Sequence, residues 1–286
     1  MDRVSSERLV QVNGVELCVE TFGDGQDTAI LLMMGRSGSM DWWEDELCER
    51  LAAGGRFVIR YDQRDTGRSV HYPVGAPTYS GNDLVADALG LLDAFDLSRA
   101  HLVGLSMGGA LAQVAALEAP DRVASLTLIA TSPAGPDPDL PKMAKETVAR
   151  FTALAAPDWS DPESVLEYCV ELSRAMAGDG RPFDEDAARA LCRRVVARSI
   201  DIEASFANPD AVESTHRWRE RLGEVRAPTL VIHGTHDPVF PPGHGAALAD
   251  EIPGAELLLL EGAGHELPRW TWGVAVPAIL EHTGRA

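Results

Sequence analysis

Six short runs of this chain have buried-strand character, and segments with helical spacing separate them. The runs are residues 29–34 (AILLMM), 57–61 (FVIRY), 101–103 (HLV), 125–130 (SLTLIA), 229–233 (TLVIH) and 256–260 (ELLLL). Several are apolar on both faces, which requires helices on both sides of the sheet they build. Between them, Trp43, Leu47 and Leu51 share one helical face. Leu84, Ala88 and Leu91 share a second behind an Asp83 cap, and Ala110, Leu111, Val114 and Leu117 a third that Pro120 stops. Such alternation predicts an α/β fold with a mostly parallel central sheet and right-handed crossovers. The opening differs: two β-patterned runs flank Asn13-Gly14, residues that both accept positive φ, and predict a hairpin.

The rhythm breaks in the middle. Residues 131–139 (TSPAGPDPD) read as a loop, and from about 140 to 222 the pattern is helical with no convincing strand. Val165, Cys169, Leu172 and Met176 form one stripe; Ala188, Leu191, Val195 and Ser199 form another. Asp161-Pro162 is a helix start, and Ala227-Pro228 leads back into a strand. The expected organisation is therefore a core of residues 1–133 and 225–286 with helices on both faces, interrupted by an all-helical cap insertion over 134–224. A chain of 286 residues is long enough to bury one large core.

The sharpest chemical signal is Gly104-Leu105-Ser106-Met107-Gly108, a G-x-S-x-G set after a buried-strand run and before a helical one. A tight strand-to-helix turn holds such a serine in a strained conformation with its hydroxyl exposed. Bulky side chains at 104 and 108 would strike neighbouring backbone, and the helix N-terminus favours developing negative charge. A serine hydroxyl needs a base within hydrogen-bond reach. Of eight histidines, His265 in the flexible Gly262-Ala263-Gly264-His265 loop after the final strand is the best placed. Asp237, just beyond the penultimate strand, is the acid that orients the base, which gives the chain order Ser106, Asp237, His265. Backbone N–H groups of Met107 and Arg36 are the expected oxyanion donors. The Arg36 side chain is open to two readings, a substrate contact or a solvated loop arginine. His101 starts the strand at the end far from this chemistry, while His71, His216, His244 and His282 read as surface residues.

Other chemistries find less support. His233 and His236 have H-x-x-H spacing, but no third or fourth ligand clusters with them, so no metal is expected. The glycines at 104–109 lack the lysine of a phosphate loop, and no cofactor is expected. With 25 basic and 44 acidic residues the formal charge is −19, which argues against nucleic acid and anionic membranes as partners. The first twelve residues carry no apolar signal stretch. The four cysteines, at 18, 48, 169 and 192, form no CxxC pair and read as reduced, mostly buried thiols of a cytoplasmic protein.

Three blocks, VGLSMGG at 103–109, VIHGTHDPV at 231–239 and GAGHELP at 262–268, resemble the α/β-hydrolase superfamily over roughly residues 8–133 and 225–284. A fourth, YDQRDTGRS at 61–69, resembles the family's D-x-R-G-x-G-x-S, with Asp65 in place of the first glycine. Asp62 and Arg64 there read as structural, pinning the loop beside the oxyanion strand. Met34-Gly35 stands where many relatives have His-Gly. The MMGRSGS, RYDQRDTGRS and LVGLSMG stretches are most similar to polyketide methyl esterases of the aclacinomycin type. The resemblance implies a carboxylic-ester hydrolase, with a small-molecule ester as partner, and points to a methyl ester of a bulky aromatic compound. The helical insert matches less clearly, so the resemblance carries chemistry better than substrate. Phe151, Trp159, Tyr168, Met176, Phe206 and Trp218 are the candidate substrate-pocket residues of the insert. Two alternatives share the scaffold, a cofactor-free perhydrolase and a ligand-perceiving receptor.

Overall fold

The structure is a computed structural model that describes residues 7–212 and 216–285; the first six residues, on which part of the signal-peptide reading falls, lie outside that range. Strands β1 (Arg8–Val12) and β2 (Val15–Phe22) form the expected hairpin, turning at Asn13 and Gly14 with φ of 47° and 77°. The remaining strands are β3 (Thr28–Met33), β4 (Arg56–Tyr61), β5 (Ala100–Leu105), β6 (Val123–Ile129), β7 (Thr229–Gly234) and β8 (Glu256–Leu260). They build one eight-stranded sheet in the order β1-β2-β4-β3-β5-β6-β7-β8. The pairs β1·β2 and β2·β4 are antiparallel and all others parallel.

Alternate residues of the parallel strands feed two cores. Leu31, Met33, Leu102 and Leu128 face Leu91 of α2 (Gly81–Ala94), Ala115 of α3 (Met107–Glu118) and Leu248 of α8 (Gly243–Glu251). Ile30, Leu32, Val103 and Ile232 face Leu47 and Leu51 of α1 (Asp45–Ala53) and Ile279 of α9 (Trp272–Arg285). Each such side chain contributes roughly 1.5–3 kcal/mol of burial, and this two-sided demand explains why the runs have so few polar positions. The second helix starts earlier than its spacing suggests. Ser80, not Asp83, is the N-cap: its hydroxyl accepts the Asp83 N–H while the Asp83 carboxylate accepts the Ser80 N–H, a reciprocal capping box.

Between β6 and β7 lie α4 (Lys145–Ala153), α5 (Pro162–Met176), α6 (Glu185–Arg198) and α7 (Ile202–Ala211), with a 3-10 turn over Arg219–Glu224. Asp161 caps α5 by accepting the Glu163 N–H. Val165, Leu166, Cys169 and Val170 of α5 close with Cys192 of α6 into a small separate core. The 3-10 turn instead sends Leu222 into the main core. All four cysteines are buried free thiols, and no described helix is long and apolar enough to cross a membrane.

A polar seam joins this insert to the sheet. Arg198 at the end of α6 donates to both carboxylate oxygens of Asp62, to Asp41 and to Glu7 at 2.7–3.1 Å. Arg194 donates to Asp41 and Asp45, each at 2.8 Å. Asp62 also accepts the N–H groups of Met40 and Arg68, while Arg64 grips Asp87 of α2 with two bonds. Asp65, which stands where the resembled motif has a glycine, sits at φ 63°, the left-handed region that favours glycine, and accepts the Tyr72 N–H.

Two histidines read as surface residues are in fact buried. His244 contacts Ser132 Oγ and the Pro141 carbonyl, and His282 contacts the Leu126 carbonyl. His101 is fully buried against Ser125, and burial pushes its imidazole down to about 4, helped by Arg56. The unfolded chain takes up this proton near 6.5, the folded chain only near 4. Stability is therefore expected to fall as pH drops through that window, by about 3 kcal/mol once both states are protonated. Urea melts between pH 7 and 4 test this: His101→Gln should flatten the loss, and an unchanged slope would remove His101 as its source.

Candidate active site

The strand β5 ends at Leu105 and α3 begins at Met107, so Ser106 alone makes the turn, at φ 52° and ψ −118°. This conformation is strained for a residue with a Cβ. The flanking glycines permit it: a Cβ at Gly104 would overlap the Gly108 carbonyl, and one at Gly108 would overlap the Met33 carbonyl. A Cβ at Gly35 would lie 3.3 Å from Ser106 Cβ, so the loop after β3 is pressed against the serine. Thr131 holds the turn from behind, donating to the Ser106 carbonyl at 2.7 Å.

His265 Nε2 lies 2.9 Å from Ser106 Oγ, and His265 Nδ1 lies 2.9 Å from Asp237 Oδ2. With Asp237 ionised, Nδ1 carries the proton and Nε2 is left to accept from the serine hydroxyl. The other oxygen of Asp237 accepts the N–H groups of Val239 and Phe240, both at 2.8 Å. Phe240 in turn packs edge-on against the His265 ring, 5.3 Å between centroids. Its carbonyl contacts His233 Nε2 at 2.8 Å. His233 is thus buried inside the Asp237 turn and its charged form is disfavoured, chiefly by burial, whereas its sequence partner His236 bonds Thr235.

The cap reaches this relay through main chain. The His265 N–H donates to the Met176 carbonyl at the end of α5, 2.8 Å. Added Cβ atoms at Gly264, Gly178 and Gly180 would overlap Ala177, His236 and Gly262 backbone respectively. The residues after α5 are therefore wedged against both catalytic loops, and glycine is required where they meet.

Above Ser106 is a cavity of about 500 Å³ with a mostly apolar wall, in the range of sites that enclose a drug-sized ligand. Met107 and Arg36, the expected oxyanion donors, line it with Ser106. Of the six aromatic and methionine candidates in the insert, Met176 and Phe206 line it and the other four do not. Trp159 and Tyr168 pack on Phe206 at 5.7 and 5.5 Å between centroids, forming a ring cluster that backs the wall. Phe151 sits on α4, and Trp218 packs onto the main core. Sequence reasoning missed Trp42, Trp43, Val239 and Phe240, which come from core loops, and Glu266. For Cys169, Leu172, Leu191 and Val195 the two stripes on α5 and α6 were the available signal.

Residues 25–269 match the family model described as serine aminopeptidase, S33. Rhodomycin D methylesterase DauP of Streptomyces sp. (strain C5) is 34% identical over 294 aligned positions, 98% of each chain. Rhodomycin D methylesterase DnrP of Streptomyces peucetius is 36% identical over 296, again 98% of each. Among solved structures, the enol-lactonase from Burkholderia xenovorans LB400 superposes with a TM-score of 0.74 at 25% identity, covering 97% of this chain and 100% of that one.

Proposed function

This chain belongs to the serine aminopeptidase S33 family, within the α/β-hydrolase serine esterases, and we propose that it cleaves the methyl ester of a bulky aromatic acid through an acyl-enzyme on Ser106. The observation that carries the reading is the 2.9 Å contact between His265 Nε2 and Ser106 Oγ at the floor of a large apolar cavity. Relatives named rhodomycin D methylesterases, alike over nearly the whole chain, support a methyl ester in particular.

Ser106 Oγ attacks the ester carbonyl carbon while His265 Nε2 takes its proton, and Asp237 stabilises the imidazolium that results. The tetrahedral oxyanion is received by the N–H groups of Met107 and Arg36; one such donor is typically worth roughly 10²–10³ in rate. His265 then protonates the departing methoxide, which leaves as methanol. Water deprotonated by His265 attacks the acyl-enzyme, and Ser106 recovers its proton as the acid departs. Residues 134–224 act as the cap: Met176, Phe206 and the α5–α6 stripes hold the acyl group, while Trp42, Trp43 and Phe240 close the cavity from the core side.

A panel of methyl esters tests this. Polycyclic aromatic esters are expected to turn over many times, with one methanol released per acid, and with kcat/KM at least tenfold above that of methyl acetate. A single-turnover adduct that never clears, or faster turnover of the smallest ester, would refute it.

A further inference from the structure

The cavity wall holds an acid that the proton relay does not use. Glu266 follows His265 directly and lines the same cavity as Ser106 and Phe240. It is half-buried, and among the described residues no hydrogen bond or ion pair reaches its carboxylate. Other ionisable groups in that wall are already engaged. Glu44 receives Arg269 through bonds to both carboxylate oxygens, Arg36 has a contact of its own, and Cys169 is a buried thiol pushed up to about 12. Burial pushes the Glu266 carboxyl up to about 7, and among the described residues the His265 imidazole is the one group whose charge acts on it, in the opposite direction.

A carboxylate in an apolar wall without a donor is poorly solvated, and a donor brought by a ligand relieves that deficit. A cationic donor relieves more of it than a neutral one, because charge-assisted bonds are about twice as strong. The chain's formal charge of −19 also favours encounter with cations. We propose that Glu266 determines specificity by receiving an ammonium group carried by the ester substrate. The inference rests on the cavity being the ester site and adds a charge requirement to it.

Three esters of matched shape, ending in ammonium, hydroxyl or methyl, test the proposal from pH 5.5 to 8.5. The protein is expected to prefer the ammonium ester over the methyl one by about tenfold or more in kcat/KM near pH 8. That preference should shrink toward pH 5.5 as Glu266 gains a proton, and in Glu266→Gln the ratio should stay near one throughout. Dissociation constants of the same esters for Ser106→Ala, with and without Glu266→Gln, should show the same ratio. They give that answer even if none of the esters turns over, which separates a failure of this inference from a failure of the ester reading. A ratio near one in the unaltered protein, equal preference for the hydroxyl ester, or an equal loss on all three esters in Glu266→Gln would overturn it. The last result would make Glu266 a positioning residue for His265.

Discussion

Replacing Ser106 by alanine is expected to lower kcat on an activated ester such as a p-nitrophenyl ester by about 10⁴–10⁶-fold while leaving the fold intact. The fold should survive because the strain at φ 52° is set by the backbone and a Cβ, and alanine keeps both. The hydroxyl's own contact is with His265 Nε2, which can turn to water when it is lost. Thermal midpoints by circular dichroism should agree within about 2 °C. Activity should collapse because what remains, the cavity and the two backbone donors proposed at Met107 and Arg36, supplies no nucleophile. The triad works as a unit, so His265→Ala added to Ser106→Ala should cost almost nothing further. Turnover in Ser106→Ala within tenfold of the unaltered protein would end the covalent mechanism and leave His265 as a base acting on water.

That constellation was legible because each member sits where strand chemistry ends. The apolar runs fix β5, β7 and β8, and the first polar loop after each holds Ser106, Asp237 or His265. The glycines at 104 and 108 announce a close approach that the structure confirms against Gly108 and Met33 carbonyls. What stayed hidden depends on partners far away in the chain. Nothing near His244 or His282 in the sequence indicates the Pro141 and Leu126 carbonyls that bury them. Trp159 and Tyr168 have the composition of a pocket wall but spend their faces on Phe206. Gly178 and Gly180 fall between the two helical stripes of the insert; their purpose is visible only once His236 and Gly262 are packed on them. Arg198 looks like one more polar residue at a helix end, the usual place for a solvated cation.

Arg198→Met is expected to destabilise the protein by about 3–5 kcal/mol, the cost of leaving buried acids without their cation. Arg198 is 8% exposed, and its partners Asp62 and Asp41 are at 0%. Burial already disfavours the Asp62 carboxylate, and Arg198 is the side chain that opposes this. Without the guanidinium, among the described residues Asp62 keeps only the Met40 and Arg68 N–H groups, and Asp41 keeps Arg194 and the Ser39 hydroxyl. Methionine fills most of the space, so a loss of this size measures the stranded charge rather than a void. Because α6 meets the sheet through this seam, the cap should loosen with it, and the midpoint should drop by on the order of 10 °C. A drop under about 2 °C would mean that the acids find water or a proton at little cost. Adding Asp62→Asn separates the causes. An amide keeps the shape of Asp62 without its charge, so the double variant should recover a large part of the loss. If it is instead less stable than Arg198→Met alone, the Met40 and Arg68 N–H groups need a charged acceptor, and Asp62 holds its loop independently of the cap.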